Sequence, residues 1–351
     1  MRRRWCSGTG ALALVMTAAI ATLAAPLAGQ TPASAPSAAP AATWTPARTP
    51  WGDPNLQGTY TNKYEQGTPM ERPDEFAGRS VWDVAGDELT EVIARRKAAA
   101  DARAPFLAGD PTGRIQGNAA FRDRDGMVNG SRAWMIIDPP DGKIPALTPE
   151  ARRQAAERAS GGRRASSFTN GPFDSHLDFS LYDRCITRGF PSSMLPAIYG
   201  DSYQIVQGPG FVAIRYEMVH ETKVIPLDDR PRLGRNLGSD MGDSRGHWEG
   251  DTLVVETTNL AGRSAYRNAN PESLRIVERF TPTSPDVLEW TVTIDDPSTW
   301  TRPWTFSLPL TMNDQEPVME YACHEGNYAM HNMLSGSRAD ESTAAASSGD
   351  R

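Results

Sequence analysis

The chain has 351 residues, of which 39% are hydrophobic and 23% are charged, and its formal net charge is -7. This composition is that of an ordinary globular protein, and it excludes a fibrous or wholly disordered chain. The acidic balance argues against nucleic acid as a partner, because phosphates require a basic face on the protein.

Residues 1–30 have the pattern of an export signal. Three arginines at positions 2–4 precede an apolar run at positions 11–25, and small residues follow this run. The basic start is compatible with general secretory or twin-arginine export. Because the run is short for a membrane span, no membrane span is predicted in the mature protein, which is expected to be periplasmic or secreted. Residues 31–50 are rich in Pro, Ala and Ser and are predicted to form a disordered leader.

The N-terminal half of the mature chain predicts few regular elements separated by long loops. Strands are predicted at residues 56–62, which follow the turn-prone residues 51–54, and at the short apolar stretch 134–138. A helix is expected near residues 87–103, which are rich in Ala, Glu and Arg. A second helix is expected at residues 149–160, because Thr148 can cap it and a proline occupies its first position.

From Tyr203 onward the hydrophobic residues recur with a period of two. Residues 288, 290, 292 and 294 are apolar and alternate with polar ones, which predicts a strand buried on one face. Comparable stretches predict strands at residues 203–207, 211–216, 222–227, 252–258, 274–281, 304–310 and 318–323. The connections are too short for crossover helices, so an antiparallel meander is predicted.

The predicted fold class is therefore mainly β, with the meander closing into a β-barrel that hides its edges. Residues 51–338 are expected to form a single β-rich domain, and residues 339–351 a disordered tail. Gly242-Asp-Ser-Arg-Gly246 matches the element around the nucleophile of many serine hydrolases. A coil precedes Ser244 and a predicted strand follows it, whereas that element requires a turn from a strand into a helix.

Several segments resemble those of an uncharacterised family of exported proteins in environmental bacteria. The most specific are MGDSRGHWEGDTLVV, DDPSTWTRPWT and YACHEGNY. The resemblance extends over most of residues 51–338 and implies an exported protein, but it brings no activity with it. A weaker likeness is to lipocalin-like barrels, in which Gly58-Thr-Tyr60 would stand for the Gly-x-Trp of the first strand.

Cys185 and Cys323 are predicted to form a disulfide, because an exported protein enters an oxidising compartment. Two buried free thiols are the alternative. The disulfide would bring two groups of polar residues together, namely Asp183, Arg184 and Arg188 on one side and His324, Glu325 and Tyr328 on the other. Such a cluster could perform acid–base chemistry on a small molecule, or it could be a salt-bridged staple between two chain segments.

Two further titratable residues are predicted to face the barrel interior. On a continuous strand, His220 would share the orientation of Ile214 and Tyr216. Glu278 shares the phase of apolar neighbours and is expected to pair with an arginine such as Arg302. A zinc site formed by His220, His324 and Glu325 is conceivable, but no tight ligand spacing supports it. No metal or cofactor is therefore predicted.

Two functions follow from these residues. The first is the binding of a small apolar or aromatic molecule inside the barrel, among Trp248, Trp290 and Trp304. The second is a periplasmic hydrolase, lyase or isomerase. It would use His324 or His220 as the base and Glu325 or Glu278 as the acid. The sequence identifies neither the ligand nor the oligomeric state.

Overall fold

The computed structural model describes residues 44–108, 130–160, 173–197, 200–264 and 266–349. The predicted signal at residues 1–30 lies outside this part, as does most of the predicted leader. Residues 44–50, the end of that leader, are described and pack on the folded chain. Thr49 is buried, and Arg48 Nη2 lies 2.5 Å from Asp251 Oδ1.

Ten strands of the described chain form one antiparallel sheet. They are β1 Gly58–Thr61, β2 Ile136–Asp138, β3 Ser202–Gly208, β4 Phe211–Tyr216, β5 Thr222–Pro226, β6 Asp243–Glu249, β7 Thr252–Thr258, β8 Arg275–Ser284, β9 Val287–Asp295 and β10 Trp304–Met312. Their order is β5-β4-β3-β1-β10-β9-β8-β7-β6, and β2 pairs with β10 beside β1. Because β1 joins β10, the meander curls into a nearly closed nine-strand barrel, as predicted from the sequence.

The gap in this ring lies between β5 and β6. Every pairing around the ring is antiparallel, and the ring has an odd number of strands, so β5 and β6 run in the same direction. Parallel neighbours cannot be joined by a hairpin and need a long connection. Residues 227–242, here called the crossover, make that connection. The two strands nevertheless meet through side chains, since a Cβ atom on Gly246 would lie 2.7 Å from Ile225 Cγ2.

The barrel interior is filled by side chains from alternating positions of its strands. Trp290 of β9 and both Trp304 and Phe306 of β10 have no exposed surface. Their rings pack in edge-to-face and tilted arrangements, with centroids 5.6 Å and 5.9 Å from Phe306. The apolar residues predicted to alternate along these strands therefore form a packed core inside the barrel.

We call the end of the barrel that carries the first residues of β3, β5, β6, β8 and β10 the bottom end. Residues 187–195 cover it beside β1 and β5, and their Phe190 and Met194 belong to the main core. Asn62 Nδ2 donates to the Met194 carbonyl at 2.7 Å. Ser193 Oγ donates to Glu221 Oε2 at 2.7 Å. The segment is therefore hydrogen-bonded at two places on the bottom end, just after β1 and just before β5.

Three helices lie outside the barrel in the described chain: α1 Gly86–Ala108, α2 Pro149–Ser160 and α3 Ala329–Gly349. The start of α1 packs on a second, smaller core that includes Phe76 and Trp134. Helix α3 runs through residues 339–349, where the sequence predicted a disordered tail. Its many alanines favour a helix, and Ser337 Oγ accepts a hydrogen bond from the Phe173 amide at 3.1 Å. Within the described ranges, no helix combines the length and hydrophobicity needed to cross a bilayer.

The structure departs from the sequence expectations at three places, although the bounds predicted for β4 are confirmed. Strand β6 was missed, because its inward-facing positions include Ser244 and Gly246 and so lack apolar alternation. Residues 318–323 are not a strand, and Met319 there is exposed, so no buried face exists for a strand to cover. Strand β4 ends at Tyr216 and does not continue to His220; a 3-10 turn, Met218–His220, follows it.

Candidate functional site

Cys185 and Cys323 form the predicted disulfide, with their Cα atoms 5.8 Å apart. The bond fastens residues 182–188 to the segment that follows β10. Two contacts reinforce this junction: the hydroxyls of Tyr182 and Tyr321 are 3.1 Å apart, and Asn327 Nδ2 lies 3.5 Å from Cys185 Sγ. The covalent part of the predicted cluster is thus confirmed.

The polar residues around this disulfide face in different directions. His324, Glu325 and Tyr328 are exposed to solvent. Asp183 accepts a hydrogen bond from Ser180 Oγ at 2.7 Å. Among the described residues, no hydrogen bond or ion pair joins the first three residues to Asp183, Arg184 or Arg188. Their catalytic or binding role therefore stays a prediction.

The positive charge of Arg188 acts on the buried carboxyl of Asp201 at the bottom end of the barrel. Burial raises the pKa of Asp201 from its ordinary value of 3.8 to about 7, and the positive charge of Arg188 offsets part of this rise. The Asp201 carboxylate also accepts the Ala197 amide at 2.9 Å. The charge of Arg188 thus acts at the bottom end of the barrel, and Arg188 is not paired with His324 in the described part of the chain.

Ser244 does not have the surroundings of a hydrolase nucleophile. It lies inside strand β6, opposite Thr257 of β7, and its Oγ is 2.8 Å from Thr257 Oγ1. The residue is buried, and no helix follows it. A nucleophile elbow needs a sharp turn from a strand into a helix, so the match to that motif is a coincidence of sequence.

A buried ion pair crosses the interior of the barrel. Glu278 of β8 contacts the ammonium of Lys223 of β5, and the side chains are 0% and 2% exposed. Trp290 Nε1 donates to the second Glu278 oxygen at 3.1 Å, and the Lys223 nitrogen lies 3.4 Å from the centre of the Phe190 ring. Burial lowers the pKa of Lys223, and Glu278 offsets part of that effect.

This pair corrects the predicted partner of Glu278. Arg302 lies on the surface instead, where its Nη2 is 3.1 Å from Asp138 Oδ1. The sequence did carry a signal for Lys223, because it shares the inward phase of Ile225 within the predicted strand at residues 222–227. Lys223 and Trp290 occupy both oxygens of the Glu278 carboxylate, so the arrangement is that of an ion pair that supports the fold.

The remaining predicted interior residues divide into three groups. Trp290 and Trp304 are part of the filled core, so an apolar ligand cannot reach them without displacing side chains. Trp248 is half-buried, and its Nε1 has no hydrogen-bond partner among the described residues. The side chain of His220 lies outside the described part. No group of three or more His, Cys, Asp or Glu residues in the described ranges is arranged to hold a metal ion.

A recess of about 720 Å³ opens at the bottom end of the barrel. Residues of the crossover form one side, and the connection between β7 and β8 forms the other. We call it the barrel-end pocket. Leu260 and Leu274, which belong to the main core, line it and are almost fully buried. The base of the pocket therefore lies against the barrel core.

Positively charged groups outnumber negative ones around this pocket. Arg232 and Arg275 both contact the carboxylate of Glu256. Arg235, also a lining residue, makes no ion pair or hydrogen bond with any residue in the described part of the chain. Glu272 is the acidic residue of the lining. Three guanidiniums against two carboxylates leave an excess positive charge in a protein whose net charge is -7.

The fold defines a nearly closed antiparallel β-barrel with an outer layer of loops and helices. No protein-family model and no curated protein matches the chain. One similar solved structure is a secretary abundant heat soluble (SAHS) protein from Ramazzottius varieornatus. It has 12% sequence identity and a TM-score of 0.23, covering 43% of this chain and 98% of that chain. Similarity at this level carries no argument about function.

Proposed function

We propose that the protein binds a small organic anion with an apolar body in the barrel-end pocket. Ligand sites are typically concave and mostly apolar, with a few polar groups that orient the ligand. Leu260 and Leu274 supply the apolar base, and the unpaired guanidinium of Arg235 supplies the anion contact. That unpaired charge in a recess whose base lies against the barrel core is the observation that carries the proposal.

The proposal keeps the predicted small-molecule ligand but moves it from the barrel interior to its bottom end. The interior is occupied by the rings of Trp290, Trp304 and Phe306, whereas the pocket offers about 720 Å³ of open volume. We infer export as well, from the pattern of residues 1–30 and the disulfide between Cys185 and Cys323.

The test uses two fluorescent probes of similar shape. Anilinonaphthalene sulfonate is an aromatic anion, and N-phenylnaphthylamine is its neutral counterpart. In Arg235→Ala we expect the affinity for the anionic probe to fall about tenfold, because a charge-assisted hydrogen bond is worth about 1.5–3 kcal/mol. The affinity for the neutral probe should change less than twofold.

Arg302→Ala is the matched control, because it also removes one surface arginine, and Arg302 does not line the pocket. It should leave both affinities within about twofold of wild type. Equal binding of the anionic probe by Arg235→Ala and the wild-type protein would contradict the proposal. The exposed position of Arg235 allows its removal without a change in the fold.

A further inference from the structure

A second polar cluster lies between the outer face of the barrel and the chain segments that cover it. Arg132 Nη2 contacts both oxygens of Glu289 on β9, at 3.0 Å and 3.1 Å. Ser307 of β10 donates to the same carboxylate. The side chain of Arg132 is 7% exposed and that of Glu289 is 21% exposed. We call this group, together with Glu65, the interlayer cluster.

Arg132 carries more N–H donors than the cluster has acceptors for them. Its Nε and Nη1 atoms are buried and have no hydrogen-bond partner among the described residues. A guanidinium has five N–H donors, and an unsatisfied buried donor costs about 1–3 kcal/mol. Thr68 Oγ1, in the same layer, is also buried without a partner, and it lies 3.0 Å from the position of a Cβ atom on Gly130. These groups are suited to an acceptor that the described residues do not provide.

The charges around Arg132 favour an anion as that acceptor. Arg96 donates through both terminal nitrogens to the carbonyls of Arg132 and Ala133, which places a second guanidinium beside the cluster. Burial raises the pKa of Glu65, and hydrogen bonds from Ser131 and the charge of Arg132 oppose the rise. Arg132 pairs with Glu289 through Nη2 alone, so its other two nitrogen atoms are left to donate to an anion.

Trp82 covers the guanidinium and marks the route to it. The Arg132 carbon lies 5.1 Å from the centre of the Trp82 ring, and that residue is 61% exposed. Rotation of an exposed side chain takes picoseconds to nanoseconds, so it presents no lasting barrier to a small molecule. The same ring offers an aromatic face for the apolar body of a ligand.

We propose that the interlayer cluster binds a small aromatic monocarboxylate. Its carboxylate would accept hydrogen bonds from the free donors of Arg132, and its ring would pack against Trp82. One carboxylate supplies the acceptor that these buried donors lack among the described residues. This site is separate from the barrel-end pocket, since none of its residues lines that pocket.

The experiment is a titration of nitrogen-15-labelled protein with benzoate, followed through the arginine Nε–H signals. The Arg132 signal is identified by its absence in Arg132→Lys. We expect it to shift saturably with benzoate and to move little with phosphate, which lacks an apolar body. Arg132→Lys keeps the charge but loses the planar donors, so calorimetry should show benzoate affinity at least tenfold weaker.

Two other variants keep the test decisive if Arg132→Lys folds poorly. Trp82→Ala alters an exposed side chain and should weaken benzoate binding about fivefold while leaving acetate binding unchanged. Arg95→Lys, at an exposed pair with Glu75, is the matched control and should bind benzoate as the wild type does. An unmoved Arg132 signal, or unchanged benzoate affinity in Trp82→Ala, would overturn the proposal. In Arg235→Ala the Arg132 signal should still shift with benzoate as it does in the wild type, which separates this site from the barrel-end pocket.

Discussion

At the scale of single residues, the ion pair between Lys223 and Glu278 is the most consequential contact in the barrel interior. Both charged groups are buried, and their attraction offsets the loss of hydration only while both are present. Removal of one partner leaves the other charge buried without compensation. Replacement of both by apolar side chains of similar size avoids that penalty.

We therefore predict that Lys223→Met alone lowers the free energy of unfolding by about 3–5 kcal/mol. The double variant Lys223→Met with Glu278→Leu should recover most of that loss, although Trp290 Nε1 then loses its acceptor. Urea unfolding measures both values.

Arg302→Met is the control, because it breaks an exposed pair with Asp138 and should cost less than about 1 kcal/mol. If the single and double variants lost equal stability, the buried charge would not be the cause of the loss.

At the scale of secondary-structure elements, the junction of β5 and β6 is the weak line of the barrel. These strands are not hydrogen-bonded neighbours, so packing of side chains across the junction must replace the missing backbone bonds. Gly246 makes the close approach possible. A Cβ atom there would lie 2.7 Å from Ile225 and 2.8 Å from Leu227, which is closer than van der Waals contact permits.

We expect Gly246→Val to force the two strands apart and to cost about 1–3 kcal/mol, the usual range for overpacking. Amide hydrogen exchange should accelerate in β5 and β6 and stay unchanged in β9, which lies elsewhere in the ring.

Gly336→Ala, a position in α3 with open space around it, is the control and should leave the exchange in β5 and β6 unaltered. The added substitution Ile225→Ala should partly restore protection in Gly246→Val. Uniformly faster exchange throughout the barrel would show that the effect is not local to this junction.

At the scale of the whole molecule, the disulfide joins two segments that are 138 residues apart in sequence. It encloses most of the barrel strands in one covalent loop, so it restricts the unfolded chain strongly. In the chain-entropy model, closing a loop of this length stabilises the folded state by roughly 4–5 kcal/mol, and measured values are often smaller.

We predict that replacing both Cys185 and Cys323 by serine lowers the free energy of unfolding by about 2–5 kcal/mol. Reduction of the wild-type protein should produce the same loss, and the double variant should be insensitive to reductant. Denaturant titrations with and without reductant measure this. Wild-type stability that does not change on reduction would refute the prediction.

Local patterns in the sequence were sufficient for the elements that have one face in the core. The alternation in β9 is visible in the chain, because this strand buries every second residue. In β10 the apolar residues alternate in the sequence, but Ser307 and Pro309 between them are buried as well. The same reasoning failed for β6, where a serine and a glycine occupy inward positions and the hydrophobic signal vanishes. The disulfide was predictable because removal of the export signal leaves two cysteines, Cys185 and Cys323, in an oxidising compartment.

The partners of the buried charges were decided only by the tertiary structure. Glu278 meets Lys223 because ring closure brings β5 and β8 to face each other across the interior, and no local pattern encodes which strands do so. The barrel-end pocket and the interlayer cluster likewise combine residues from distant segments, such as Arg132 and Glu289. The sequence determines which face each residue occupies through the geometry of a single strand. The number of strands and the closure of the barrel determine which residues meet.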